Sequence, residues 1–342
     1  DDDGQPAQEE PPRRVAPFLS WSAMTIRILV TRRPPGSALS TLGNLGTIDL
    51  WEPDQIIPRE ELLGRVRGAD ALYCMLTESV DRELLELAPQ LRVVSNMGVG
   101  VDNIDIAACT ELRIPVGHTP GVLTEATADL AFALLLAAAR RVGEGIQYVR
   151  HGKWGDWRPD LLLGHDVHSS TIGIVGMGRI GGAVARRAVG FGMSVVYSGP
   201  SAKPELEAKL GAVRRDLSDL LSIADHVVIA APLRADTHHL IDAASFQLMK
   251  PTATLVNVAR GPLVDTDALI AALQSGAIAA AGLDVTDPEP IAADHPLVQL
   301  PNCVVVPHIG SASAQTRNDM ADLAARNVGR ALAGERLEAC AN

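Results

Sequence analysis

The sequence predicts an α/β protein built from two doubly wound parallel-sheet domains with a cleft between them. Three observations carry this. Short apolar runs of strand length recur along the chain with helical segments between them, an alternation that implies parallel pairing. One such run, residues 172–175, opens directly into G-x-G-x-x-G at Gly176, Gly178 and Gly181. The chain has 342 residues, enough for about two domains.

Composition narrows the function classes. Hydrophobic residues make up 47% and charged residues 21%, the balance of a globular protein. A net charge of -11 argues against nucleic acid or an anionic membrane as a broad partner, while leaving room for a local cationic pocket. The longest apolar run, residues 130–139, is too short to span a bilayer. Cys74, Cys109, Cys303 and Cys340 are scattered without C-x-x-C spacing. Neither a zinc site nor a disulfide framework is expected, no metal is called for, and a reducing, cytoplasmic setting fits.

Taken in order, residues 1–23 are charged, proline-rich and nearly without large apolar side chains until Phe18, so they read as a disordered leader, with Met24 as a candidate start. Residues 26–30, 69–74, 91–94 and 114–116 read as strands, with helices at 59–66 and 82–87 between them. This first unit lacks a glycine fingerprint of its own. Residues 124–141 form a long helix candidate, with Thr124 as its cap and Glu125 in the first turn, where the helix dipole favours an anion. Its middle is apolar on every side, which predicts burial all round and a position across the domain junction. Residues 151–167 read as a loop carrying Trp154 and Trp157. Two large aromatics in a polar loop need a cover, and a subunit partner and the chain's own core are both candidates. Strand-like runs at 226–230, 253–258, 280–285 and 303–306 continue the second sheet. A final helix at 312–333 returns to the first unit. The expected division is 24–121 with 311–342, and 122–310.

The glycine motif is the strongest local signal. A strand, a tight turn, a helix and the strand-like residues 194–197 supply the context that a dinucleotide fingerprint requires. Gly176 permits the turn, Gly178 lets the backbone approach a pyrophosphate, and Gly181 lets helix and strand pack closely. The free N–H groups at the helix start then hold the anion.

Three later strands end in polar residues on the side where the dinucleotide should lie. Asn257-Val258-Ala259 runs into Arg260; Asp284-Val285 runs into Thr286-Asp287-Pro288-Glu289; and residues 303–306 run into Pro307-His308. Arginine binds a carboxylate through paired hydrogen bonds. Histidine gives or takes a proton near neutral pH, and a neighbouring glutamate favours the imidazolium. Beside a nicotinamide, these types suit hydride transfer to the carbonyl of a 2-oxo acid. Alone, each has a plainer reading: a surface arginine, a strand-end histidine, a solvated turn. Their shared position after strands, downstream of the glycine motif, favours the chemical one. The remaining histidines, including His238 and His239, lack ligand spacing and are expected in solvent.

The blocks S-N-M-G-V-G-V-D-N-I-D, T-P-G-V-L-T-E-A-T-A-D-L-A, G-M-G-R-I-G, N-V-A-R-G-P-L-V-D, G-L-D-V-T-D-P-E-P and P-H-I-G-S-A follow one another in the order of the D-isomer-specific 2-hydroxyacid dehydrogenases, which the chain resembles from Thr25 to about Glu338. V-L-T-E-A-T-A-D and T-R-N-D-M resemble most the glyoxylate/hydroxypyruvate reductases. The resemblance implies a Rossmann cofactor domain and a flavodoxin-like substrate domain. It implies Arg260, Glu289 and His308 as the catalytic trio, with backbone amides near Val99 and Gly100 on the substrate carboxylate. Toward the cofactor it implies Thr127, Gly176, Gly178, Arg179, Ile180, Gly181, Pro232, Val258, Asp284, His308 and Gly310. It also implies a homodimer, with the long helix and the tryptophan loop at the contact.

One departure bears on the cofactor. NAD-preferring folds place a carboxylate about 20 residues past the glycines. Here Tyr197 is followed by Ser198-Gly199-Pro200-Ser201-Ala202-Lys203, with no carboxylate before Glu205 and no arginine at the strand end. Ser198, Ser201 and Lys203 accept a 2′-phosphate, so NADPH is expected in preference to NADH. The expected activity is reduction of glyoxylate and hydroxypyruvate to glycolate and D-glycerate. Alternatives are another D-2-hydroxyacid dehydrogenase (2-ketogluconate reductase or phosphoglycerate dehydrogenase) and a dinucleotide-sensing, corepressor-like binding protein. A phosphorylated substrate would want basic residues that residues 71–78 do not offer.

Overall fold

A computed structural model describes residues 26–342; the leader and the start at Met24 lie outside the described residues. Among the described residues, twelve strands form two all-parallel sheets. The first contains β1 (Arg27–Val30), β2 (Thr47–Leu50), β3 (Ala71–Cys74), β4 (Val93–Asn96) and β5 (Val116–Gly117), in the order β2-β1-β3-β4-β5. The second contains β6 (Thr171–Val175), β7 (Ser194–Ser198), β8 (Val213–Arg214), β9 (His226–Ile229), β10 (Thr254–Asn257), β11 (Ala280–Leu283) and β12 (Cys303–Val305). Its order is β12-β11-β10-β9-β6-β7-β8. The chain leaves β6 in one direction, then crosses over to β9 and continues in the other. That reversal opens a crevice at the carboxyl ends of β6 and β9, where ligands of such sheets bind.

Helices cover both faces of both sheets, so the central strands are apolar throughout rather than alternating. Ile172, Ile174, Val228 and Val256 pack beneath the helices Thr124–Ala139 and Arg179–Gly190, while Val227, Ile229, Leu255 and Leu283 face the opposite layer. Each such side chain, wholly removed from water, contributes about 1.5–3 kcal/mol. On the first sheet, Val30, Ala71, Tyr73 and Val93 pack against Met320, Ala324 and Val328 of the last helix, Ala314–Leu332. That helix, though last in sequence, lies on β3, β4 and β5. Ala341 N–H donates to the Val116 carbonyl at 2.8 Å, so the C-terminal residues stay with the first sheet.

Several local expectations need correction. The strand expected at 91–94 is β4, two residues further on, and β2 and β8 were not anticipated. The long helix ends at Ala139, because Arg141 adopts a left-handed conformation (φ 53°) and the chain restarts as Val142–Arg150. Thr124 does not cap it: Leu123 holds that position, with no side-chain hydrogen bond. Nor is the helix buried all round, since Ala133 is exposed and Ala126, Leu130 and Ala137 are only half-buried. His226 is not in solvent; it is buried, with Nε2 3.2 Å from the Asp166 carbonyl. Among the described residues no helix is long and apolar enough to cross a membrane. Cys74, Cys109 and Cys303 are buried, and burial pushes the thiols of Cys109 and Cys303 up to about 11 and about 12.

Candidate active site

The glycine turn has the geometry its sequence implies. Gly176 sits at φ 98°, and a Cβ there would lie 2.6 Å from the Ala231 nitrogen. A Cβ on Gly181 would overlap the Gly176 carbonyl oxygen. At Gly178 it would meet nothing within 4 Å. Only Gly176 and Gly181 are therefore required by the protein's own packing; Gly178 keeps a space open. Gly178 also begins the helix Arg179–Gly190 with no side-chain cap and no acidic residue in the first turn. Its leading N–H groups, those of Arg179 and Ile180 among them, lack intrahelical acceptors and carry the positive end of the helix dipole. A pyrophosphate fits this cradle.

At the carboxyl end of β11, Asp284 organises the segment that carries His308. It is buried, and its two oxygens accept the N–H groups of Ile309 (2.6 Å) and Gly310 (2.8 Å). Its carbonyl accepts the His308 N–H at 2.9 Å. Burial raises the Asp284 carboxyl above its ordinary range, against the opposing pull of those amides and of His308. Held this way, His308 adopts φ 51°, a left-handed conformation that costs a side-chain-bearing residue on the order of 1–3 kcal/mol. Thr127 lies beside this clamp: a Cβ on Gly310 would fall 2.8 Å from Asp284 Oδ2 and 3.3 Å from Thr127 Cγ2.

Glu289 meets His308 directly. His308 Nδ1 lies 2.6 Å from Glu289 Oε1, and because a carboxylate only accepts, Nδ1 carries a proton, while Nε2 makes no hydrogen bond among the described residues. Burial opposes ionisation of Glu289, but the hydrogen bond and charge of His308, the Thr286 amide and the Arg260 charge outweigh it. The carboxyl sits below its ordinary range.

Arg260 reaches from the second sheet to the first. Its Nε lies 3.0 Å and 3.1 Å from the two Asp102 oxygens, and Nη1 donates to its neighbour's carbonyl, Ala259, at 2.8 Å. Nη2 has no protein acceptor among the described residues, and it stands against Gly100, where a Cβ would overlap it. Asn257 shapes this turn, donating to the Arg260 carbonyl (2.7 Å) and accepting from Ala259 N–H (3.0 Å). Gly261 then lets the chain pass Thr286, whose carbonyl a Cβ would strike. Across the cleft, Leu76 covers Gly98 of the Val99–Gly100 loop so closely that a Cβ there would overlap it.

Of the residues singled out from sequence, Arg260, Glu289, His308 and the Val99–Gly100 loop converge, and Thr127, Asp284 and Gly310 form the wall beside them. Ser198 ends β7, and Ser201, Lys203, Pro232 and Val258 follow β7, β9 and β10 on the same carboxyl edge of the sheet. Asp102 and Asn257 were missed as site residues, although both lie inside motifs that stand out in the sequence. Arg317, at the start of the last helix, was also missed. It is half-buried near Asp284, and burial lowers its pKa against the pull of that carboxylate.

Comparisons with known proteins bear on the chain as a whole. The family model described as D-isomer specific 2-hydroxyacid dehydrogenase, NAD binding domain, matches residues 132–310. The chain is 48% identical over 309 residues to a glyoxylate reductase of Thermococcus onnurineus, covering 89% of this chain and 92% of that one. It is 49% identical to the corresponding protein of Thermococcus kodakarensis over the same shares. Among solved structures, the TT0316 protein of Thermus thermophilus superposes with a TM-score of 0.87 at 47% identity, covering 93% of this chain and 100% of that chain. An NADPH-dependent glyoxylate/hydroxypyruvate reductase of Sinorhizobium meliloti, in complex with NADP and malonate, superposes with a TM-score of 0.80 at 30% identity, covering 92% and 96%.

Proposed function

The chain belongs to the D-isomer-specific 2-hydroxyacid dehydrogenase family, with its NAD-binding domain, and from that premise we propose that it reduces glyoxylate and hydroxypyruvate to glycolate and D-glycerate with NADPH. The observation that carries the reading is the unshared Nη2 of Arg260 against the Gly100 backbone, beside the His308–Glu289 pair. A 2-oxo acid has a carboxylate for the first and a carbonyl oxygen for the second.

Arg260 Nη2 and the amides of Val99 and Gly100 bind the substrate carboxylate, and the absent side chain at Gly100 permits the approach. Asp102 fixes Arg260 by occupying Nε. When bound, the reduced nicotinamide supplies a hydride to the carbonyl carbon. His308 Nε2 gives its proton to the carbonyl oxygen as negative charge develops there, and Glu289 stabilises the imidazolium and holds its ring through Nδ1. In the oxidative direction His308 takes the proton back. Thr127, Pro232, Val258 and Asp284 line the nicotinamide half; Gly176, Gly178, Arg179, Ile180 and Gly181 hold the pyrophosphate; Ser198, Ser201 and Lys203 receive the adenosine ribose. The preference for NADPH follows from the missing carboxylate after β7, and the Sinorhizobium meliloti relative is described with that coenzyme.

The domain division that goes with this reading is 24–121 with 311–342 as the substrate unit and 122–310 as the cofactor unit. The chain crosses between them twice, an arrangement suited to hinged closure. The working form is a homodimer. Val142, Ile146 and Val149 recur at i, i+4 and i+7 on the helix Val142–Arg150 and are all exposed, as are Leu163, Trp154 (65%) and Trp157 (81%). Monomers rarely leave so many neighbouring apolar groups bare.

Initial rates with NADPH and with NADH, against glyoxylate, hydroxypyruvate, 2-ketogluconate and phosphohydroxypyruvate, test the proposal. Fastest turnover of the two small, unphosphorylated acids with NADPH is expected. Preference for a sugar or phosphorylated acid would overturn the substrate assignment. Tight coenzyme binding without turnover of any 2-oxo acid would favour a sensor.

A further inference from the structure

The sequence places no arginine at the end of β7, but the fold brings one there from elsewhere. β8 runs parallel to β7 with Arg214 in register with Tyr197, so both strands present their carboxyl ends on the same edge. Arg214 turns its guanidinium onto the turn that follows β7: Nη2 donates to the Gly199 carbonyl at 2.8 Å and Nε at 3.2 Å. Nη1 has no protein acceptor among the described residues, and no carboxylate lies within ion-pair distance of Arg214 or Lys203. Beyond Gly199 the space is open, since a Cβ there would meet nothing within 4 Å.

A carboxylate packed against this turn is already engaged by the protein itself. Glu207 accepts a hydrogen bond from the Tyr197 hydroxyl, which in turn accepts the Lys203 N–H at 2.8 Å. The five residues from Gly199 to Lys203 are thus pinned at both ends. They are flanked by one guanidinium and one ammonium, with the serines Ser198 and Ser201 between.

We propose that Arg214 is the residue that recognises the 2′-phosphate of NADPH, standing in from the neighbouring strand for the arginine that the β7 end lacks. This rests on the reading of NADPH as the preferred coenzyme. In folds of this kind the end of the second strand receives the adenosine ribose, where a carboxylate selects the free hydroxyls and an arginine accommodates the phosphate. A guanidinium offers a phosphate two parallel N–H donors. The Gly199 carbonyl holds Arg214 in place before any ligand arrives, so little side-chain entropy remains to be lost on binding.

Titration of the full chain with NADPH, NADH, 2′,5′-ADP and 5′-AMP, followed by calorimetry, reads this without turnover. Arg214→Gln is expected to weaken NADPH and 2′,5′-ADP by about tenfold to a hundredfold, the range of a lost charge-assisted hydrogen-bond pair. NADH and 5′-AMP should change by less than about twofold on the same scale. Arg214→Lys, which keeps the charge and loses the fork, should fall between, and its unliganded melting temperature checks that the turn survives. Equal weakening of NADPH and NADH would overturn the inference, because Arg214 would then serve only to clip the turn. Unchanged NADPH binding would overturn it as well. If the unsubstituted protein binds NADH more tightly than NADPH, and 2′,5′-ADP no better than 5′-AMP, the coenzyme reading itself fails.

Discussion

His308 is fixed by three contacts of different kinds: its own strained backbone, the Asp284 clamp on the residues around it, and the Glu289 carboxylate at Nδ1. Removing the imidazole by His308→Ala leaves the clamp intact, because the clamp uses only main-chain groups of residues 308–310. Turnover should therefore fall by roughly 10²–10⁴-fold, the usual contribution of a general acid, with coenzyme affinity retained. Stopped-flow and fluorescence titration separate the two. Glu289 carries a pH signature. Its carboxyl is held below the ordinary glutamate range by His308 and Arg260 despite burial, so the carboxylate that accepts the His308 Nδ1 hydrogen bond is present above that range and is lost as the pH falls through Glu289's own lower value. Glu289→Gln removes the charge that favours the imidazolium. The alkaline limb of the pH–rate profile for reduction should move to lower pH, and an unmoved limb would remove Glu289 from proton control. The three residues stood out in the sequence because each comes within a few residues of the end of an apolar run of strand length, on the strand-end edge of the sheet. Asp102 did not, because its partner lies 158 residues away and only the closing of two sheets brings them together. Arg214 escaped for a similar reason, since register between two strands placed it.

Among the elements, the turn between β6 and its helix separates residues required by the fold from one that suits a ligand. Gly176→Ala forces a side chain onto a left-handed backbone and into the Ala231 nitrogen, at a cost of about 1–3 kcal/mol. The melting temperature should fall. Gly178→Ala fills empty space at an ordinary backbone angle (φ -85°), so the melting temperature without coenzyme should hold while dinucleotide affinity drops at least tenfold, about 1.4 kcal/mol. An unaltered affinity would mean that no pyrophosphate passes there. The helix Arg59–Val66 was read to the residue, helped by the charged residues of its first turn and a regular apolar face. β2 and β8 were not read. One is a partly exposed edge strand carrying Asp49, the other is two residues long, and pairing rather than composition makes each a strand. The end of the long helix was misplaced because nothing in A-A-A-R-R-V announces a left-handed arginine; an arginine there reads as one more helix former.

At the scale of the whole molecule, the two doubly wound sheets and the return of the last helix follow from periodicity and the order of the apolar runs, while the crossover at β6 is seen only in the strand order. What those patterns do not decide is which apolar surface stays bare. The middle of the long helix is apolar on all sides, and sequence alone reads that as complete burial, yet one flank of it remains partly open in the single chain. Ile146, exposed in the middle of the neighbouring helix, is the place to test association: Ile146→Asp disturbs little within a protomer and should give a monomer by light scattering. A surviving dimer would move the interface elsewhere. The helix Thr124–Ala139 has a further consequence. Near its start, Thr127 rests against Gly310 in the cleft, while its half-bare flank runs down to the exposed apolar helix beyond Arg141. One rigid rod is thus at once the floor of the reaction chamber and part of the surface a second copy would cover. Dilution would then act on chemistry and assembly together, and an enzyme thinned below the dissociation constant of its dimer would lose the brace beneath its own substrate.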